Sequence, residues 1–248
     1  MRVALAVTAH DTGGRLAPAI PGVADGLRTI FAGVALNATH ETHPDVVAAA
    51  EAHLSPRLIR HPANEATIGK ARRDAVALAL GLDADAIFHC DLDHLVRWAQ
   101  ADTGELRRIV TAEPHADLLV VGRSEKSFAA EPRRLRETEA IVNHVYGLMT
   151  GRQWDLMFAV RRLSRRAAEA IVQHSREDTL ANDVEWPLLA ERAGCSLGYA
   201  EADGLYYRTM EEFGAPADTH DGKPYEWVRR LEFAALNAAV FRAYLRGA

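Results

Sequence analysis

Apolar residues along the first 125 positions fall into two alternating rhythms. Short continuous apolar runs cover residues 2–8, 32–37, 57–60, 84–90 and 116–122. Each is strand-length and bounded by polar or turn residues, which predicts buried strands. Between them, residues 16–30, 44–53, 67–80 and 106–112 carry apolar positions at helical spacing, the first interrupted near Pro21-Gly22 and the second opening on Pro44. Proline is well placed in a first helical turn. This β-α-β-α alternation predicts an α/β fold with a mixed, mostly parallel sheet and helices on both faces.

The second half changes character. Residues 132–149 read as one long helix ended by Gly151, a glycine suited to a left-handed C-cap. A strand over 155–161, a helix over 164–174 and a helix over 184–192 follow. Ser164 is a natural cap for the first of these helices. Strands near 196–200 and 205–208, a Gly- and Pro-broken flexible loop over 213–224 and an amphipathic helix over 226–245 complete the chain. Residues 124–136 read as a mobile segment.

Composition narrows the class. At 248 residues the chain fits a single domain. Its residues are 48% hydrophobic and 25% charged, as in ordinary globular proteins. The net charge of −5 gives no overall pull toward nucleic acid. The basic run Arg161-Arg162, Arg165-Arg166 lacks interleaved aromatics and reads as a solvated face. Cys90 and Cys195 stand alone in sequence, with no disulfide framework, which points to a reducing cytoplasm. No stretch approaches the length of a membrane span, and the apolar start is too short for a signal peptide.

The densest chemistry is Ala86-Ile-Phe-His-Cys-Asp-Leu-Asp-His94. A strand runs straight into Asp91 and Asp93, at the sheet edge where open α/β sheets bind ligands. Carboxylates there suit a hard cation held against phosphate oxygens. Read plainly, Asp91 caps a helix and Asp93 is a solvated first-turn acid. One strand upstream, Thr67-Ile-Gly-Lys-Ala-Arg-Arg-Asp-Ala75 opens a helix on a glycine and a basic cluster, a natural phosphate site. It lacks the spacing of a Walker loop. Asp183 and Glu185 are paired carboxylates that could do general acid–base work; read plainly, Asn182 or Asp183 caps a helix and Glu185 lies in its first turn.

The order of these segments resembles the GT-A glycosyltransferases, in particular the family-2-like and mannosylglycerate-synthase-like enzymes. Gly69-Lys70-Ala71-Arg72-Arg73-Asp74-Ala75, the Asp91-Leu92-Asp93 motif, Val121-Gly-Arg123, the segment from Leu148 to Arg165, and Asn182-Asp-Val-Glu-Trp-Pro187 occur in the family's order, over about residues 2–208. The resemblance implies a metal-dependent glycosyltransferase. It would move a sugar from a nucleotide-diphosphate sugar to the hydroxyl of a small or lipid-linked acceptor, with Mg²⁺ or Mn²⁺ bridging the diphosphate. Residues 1–125 would hold nucleotide and metal, and 126–248 the acceptor.

By that pattern Thr8, Ala9, His10, Asp11, Thr39 and Glu41 would line the nucleoside. Gly69, Lys70, Arg73, Asp91 and Leu92 would serve the phosphates and ribose. Asp91 and Asp93 would hold the metal, with His220 as a third ligand where relatives often use a late histidine and this chain has Tyr207. His94 ranks above His89 as a further neighbour of the metal. Arg123 and Asp155 would face the acceptor. Arg133, Arg134 and Arg136, in the segment read as mobile, could close over phosphates or bind an acidic acceptor. The nucleoside-side loops depart from the usual family types, which leaves the base open. So do two other classes: a nucleotidyltransferase, for which Thr8-Ala-His-Asp-Thr-Gly-Gly14 is a poor phosphate loop, and a non-catalytic sugar-nucleotide-binding homologue. A homo-oligomer is equally open.

Overall fold

The computed structural model describes residues 1–205 and 220–247. Seven strands form one sheet: β1 (Val3–Ala9), β2 (Gly33–Thr39), β3 (Arg57–His61), β4 (Ala86–Asp91), β5 (Leu118–Arg123), β6 (Arg161–Ser164) and β7 (Leu197–Ala202). They lie in the order β3-β2-β1-β4-β6-β5-β7. Only β6 runs antiparallel to its neighbours, β4 and β5. The chain order reverses on either side of β1, between β2 and β4, so a ligand crevice belongs outside the carboxyl ends of these strands.

Alternation along β1 builds the layers. Val3, Leu5 and Val7 join a core with α1 (Ile20–Ile30), α2 (Pro44–Leu54) and α4 (Leu92–Val110). Ala4 and Ala6 face the other way, onto α3 (Ile68–Leu80). Their small side chains let Ala75, Val76 and Ala79 of α3 pack close. That second layer is completed by α6 (Arg133–Thr150), α7 (Arg165–His174), α8 (Asn182–Arg192) and α9 (Pro224–Arg246). A short α5 (Glu125–Ala129) follows β5.

Several expectations are corrected. The helix expected over 106–112 is the end of α4, which is kinked at Asp102 (φ −158°, ψ 91°). Asp102 accepts from Glu105 N–H and restarts the helix, so the Asp-Thr-Gly interruption hides the earlier half from a periodicity reading. The strand expected over 155–161 begins only at Arg161. The segment before it is held by side chains instead, with Asp155 accepting from Arg123. The segment read as mobile, 124–136, is packed: α5 occupies its start, and Glu131 is buried 3.3 Å from Arg123. Arg161 and Arg162 are buried rather than solvated, their guanidiniums donating to backbone carbonyls. Within the loop expected over 213–224, a 3-10 turn spans His220–Gly222. The strand expected over 205–208, with Tyr207, lies outside the described residues beyond Leu205.

Candidate active site

β4 ends on Asp91, and Thr8 of β1 stands directly beside it in register. The Thr8 hydroxyl donates to Asp91 Oδ1. Asp91 is the N-cap residue of α4, yet its side chain makes no capping bond. It turns instead to Arg72 of α3, accepting from Nη2 at 2.7 Å and from Nε at 3.4 Å. Arg72 is also bound on its other side. Its Nη1 donates to Asn182 Oδ1 at 3.1 Å and Asp183 Oδ1 at 3.0 Å, at the start of α8. One buried guanidinium therefore ties the end of β4 to the start of α8.

Burial raises the energy of every charge in this bridge, and the geometry decides which groups stay ionised. Burial pushes Asp91 up, but its two bonds from Arg72 outweigh this and hold the carboxyl well below the usual carboxylate range. Burial pushes Arg72 down, and Asp91 with Asp183 more than reverse it. Asp183 has one Arg72 bond and a 4% exposed side chain; burial dominates there and its pKa is pushed up to about 6. Arg161 secures the same helix start by donating to the Asp183 carbonyl at 2.9 Å.

Two cavities meet at this bridge. The larger, about 440 Å³, is lined by Thr8, Ala9, His10, Thr39, His61, Asp91, Asp93 and His94, among others. The smaller, about 160 Å³, lies between Asp91 and Asp183 on one side and Glu139, Arg230 and Phe233 on the other. Asp91 and His94 line both. His94 packs on Phe158 at 4.4 Å, and its buried Nδ1 has no hydrogen-bond partner among the described residues. Asp93 keeps 42% of its side chain exposed, 3.6 Å from Arg97. His89 is buried behind the site, bonded to the Ala159 carbonyl, with its pKa lowered by burial to about 4.

The structure sorts the remaining expected residues. His10 and Thr39 join Thr8 in the larger cavity, bonded to each other at 2.9 Å. Glu41 turns its carboxylate to Ala63 N–H. Asp11 closes its own loop, accepting from Gly13 and Leu16 N–H. That loop is thus tied to itself, the opposite of the open cradle a nucleotidyltransferase phosphate loop needs. Leu92 is core.

The start of α3 is covered as well. Gly69 and Lys70 N–H both donate to the Asp178 carbonyl, and a Cβ on Gly69 would sit 2.3 Å from Thr179 O. Gly69 therefore serves close backbone packing, and the phosphate site expected at this helix start is taken by the chain itself. Lys70 pairs with Asp74 at 2.6 Å. Arg73 anchors the loop around Ser175, Glu177 and Asp178.

Arg123 is fully enclosed by Asp155, Glu139 and Glu131, so these charges pair with one another inside the protein. Glu185 points away from Asp183, as residues two apart on a helix do. It accepts from Ser175, Arg176 N–H and Glu177 N–H and borders a separate groove of about 650 Å³. His220 lies 3.9 Å from Glu226. Its neighbour Asp221 caps α6 and binds Arg134. Among the described residues no group of three or more His, Cys, Asp or Glu is placed to hold a metal, so His220 does not complete a site with Asp91 and Asp93.

Arg72, read from the sequence with Lys70 and Arg73 as a phosphate-binding cation, instead bridges Asp91, Asn182 and Asp183, a role the motif reading did not give it. A signal for it exists: Arg72 falls on the same helical face as Ala75, Val76 and Ala79, so it must be buried and paired.

No protein-family model matches the sequence, and no curated protein matches it. Solved structures do match. Glucosyl-3-phosphoglycerate synthase from Mycobacterium tuberculosis superposes with a TM-score of 0.54 at 13% identity, over 86% of this chain and 76% of that one. Its complex with uridine diphosphate gives a TM-score of 0.53 at 14% identity, over 86% and 75%. The complex with Mn²⁺, UDP-glucose and phosphoglyceric acid gives the same values. This chain has the GT-A fold. No helix among the described residues is long and apolar enough to cross a membrane.

Proposed function

We propose that this protein is a metal-dependent glycosyltransferase that moves a sugar from a nucleotide-diphosphate sugar to an acceptor hydroxyl. The observation that carries the reading is the Arg72 bridge. It places the carboxylate at one end of a nucleotide-sized cavity within one guanidinium of a second, near-neutral-pKa carboxylate in an adjoining small cavity. A donor and an acceptor would meet where the two cavities share Asp91 and His94. The fold neighbours crystallised with UDP-glucose, Mn²⁺ and phosphoglyceric acid agree with this use of the fold.

The nucleoside lies along the carboxyl edge of β1 to β3, with its diphosphate at Asp91 and Asp93. Hard carboxylate oxygens suit Mg²⁺ or Mn²⁺. The oxygens of Asp91 are largely committed to Arg72 and Thr8, so Asp93 is the open ligand. This fits a cation that keeps waters and leans on the diphosphate rather than one in a closed protein cage. Such a cation would neutralise charge developing on the departing diphosphate.

Asp183 receives the acceptor hydroxyl proton as the acceptor oxygen bonds to the sugar's anomeric carbon. The bond from that carbon to the phosphate oxygen breaks, and its electron pair leaves with the diphosphate. Arg72 holds Asp183 in place and spreads the charge between the two carboxylates. The acceptor cavity suits a small acceptor group. Two buried free cysteines fit a reducing, cytoplasmic setting.

The test is release of nucleoside diphosphate from a panel of nucleotide sugars with Mg²⁺ or Mn²⁺, with candidate hydroxy acids and sugars as acceptors. Metal-dependent release that disappears in Asp93→Asn supports the reading. No release, together with no binding of any nucleoside diphosphate, removes it.

A further inference from the structure

The nucleoside end of the larger cavity carries hydrogen-bond information of its own. Beyond the level of Thr8 and Asp91, three strands bring His10, Thr39 and His61 into one row: Thr39 pairs with His61 in register, and His10 follows the pair Ala9–Ala38. Neighbouring strands stand ~4.8 Å apart, so His61 on β3 lies roughly 14 Å across the edge from β4. A nucleotide whose diphosphate sits at Asp91 and Asp93 would reach His61 with its base and pass His10 with its ribose.

The wall's own hydrogen bonds set which atoms these imidazoles present. Asn37 Nδ2 donates to the Ala71 carbonyl at 2.8 Å, so Oδ1 is the atom facing His61 Nδ1 at 2.7 Å. His61 Nδ1 must then carry the proton, which leaves Nε2 as an acceptor on the neutral ring. Burial holds the His61 pKa below its ordinary value, so the ring is neutral near pH 7. A second chain gives the same result. Thr42 Oγ1 donates to the Ala9 carbonyl, so Thr39 Oγ1 donates to Thr42 and accepts from His10 Nδ1. Glu65, whose carboxylate only accepts, lines the same far end and pairs with Arg229 of α9.

Resting on the donor-site reading above, we propose that His61 Nε2 and the Glu65 carboxylate, both acceptors, read the base, and that the donor is a guanosine diphosphate sugar. Guanine offers two adjacent N–H donors, at N1 and the 2-amino group. Adenine and cytosine each set one amino group beside a ring acceptor, and uracil sets one N–H between two carbonyls. Those acceptors would face His61 or Glu65 acceptor to acceptor, with both groups left unpaired. His10 Nε2 takes a ribose hydroxyl.

The experiment is titration calorimetry of the full chain at pH 8 with Mg²⁺ and GDP, IDP, ADP or UDP. IDP keeps N1–H and lacks the 2-amino group. GDP binds tightest, and IDP is weaker by about tenfold, the cost of one lost hydrogen bond to a charged group. Glu65→Ala, an exposed change that spares the core, brings GDP to the level of IDP. His61→Ala weakens GDP by about tenfold. UDP or ADP binding as tightly as GDP, or a GDP preference that survives both variants, overturns the proposal while leaving the donor site standing. No binding by any of the four overturns the donor site itself.

Discussion

Arg72 Nη2 lies 2.7 Å from Asp91 Oδ2, with the Arg72 side chain 6% exposed, so the carboxylate ending β4 is balanced by a guanidinium from the neighbouring helix. The pair sits where the two cavities share Asp91, and the same guanidinium continues to Asp183.

Arg72→Met therefore strands two buried carboxylates at once. Breaking a buried pair from one side costs about 3–5 kcal/mol. Urea unfolding should show a loss of that size, and Arg72→Lys a smaller one, since a lysine keeps the charge but cannot span both partners as a planar fork. A loss below about 1 kcal/mol for Arg72→Met, the level of an exposed pair, would count against the buried bridge.

Asp93→Asn should behave differently. The Asp93 side chain is 42% exposed. A surface change of this kind should alter stability by less than about 0.5 kcal/mol. Thermal-shift stabilisation by nucleoside diphosphate plus Mn²⁺ should fall to the level seen without metal. Full metal-dependent stabilisation in Asp93→Asn would remove Asp93 as the open ligand.

As the proposed base, Asp183 should set an acid limb. Its pKa is raised to about 6, so it is protonated and unable to take a proton below that pH, and competent above it. Sugar transfer, read as kcat/KM against pH, should rise through about pH 6 and level off. Asp183→Asn should lower kcat by roughly 10²–10⁴ and abolish this limb. A limb unchanged in the variant would assign it to another group.

Gly69→Ala tests the close approach of α3 to the segment after α7. The new Cβ would meet Thr179 O at 2.3 Å and the Asp178 carbonyl carbon at 2.9 Å, both backbone. Forcing them apart should cost about 1–3 kcal/mol in chemical unfolding, as overpacking does. Were Gly69 instead a phosphate cradle, alanine would weaken nucleotide binding at nearly unchanged stability.

The five strands of the first half and most of their helices are legible because burial of β1, β2, β4 and β5 leaves apolar runs, and because proline and glycine mark boundaries. Asp91 and Asp93 are legible for a related reason, since charge at the end of such a run has to lie at the sheet edge. Less legible were the partners. Arg72, Lys70 and Arg73 are chemically alike and close in sequence. Helical rotation turns Arg72 inward to Asp91, Lys70 outward to Asp74 and Arg73 to Asp178. Arg123 looks like a free cation at a strand end until Glu131, Glu139 and Asp155 close around it.

The sequence by itself determined the alternation of strand and helix and the carboxylates at the crevice, because these follow from local periodicity and from where charge can end a buried run; the order of its motifs carried the resemblance to the GT-A class. Tertiary structure alone decided which polar groups face the cavities and which are bound to the chain's own backbone. Asp183 stands 111 residues from Arg72 and Asn37 stands 24 from His61, yet each pair shares a hydrogen bond. Such pairings depend on strand order, helix rotation and the desolvation of each charge, and none of these is a property of a local stretch of chain.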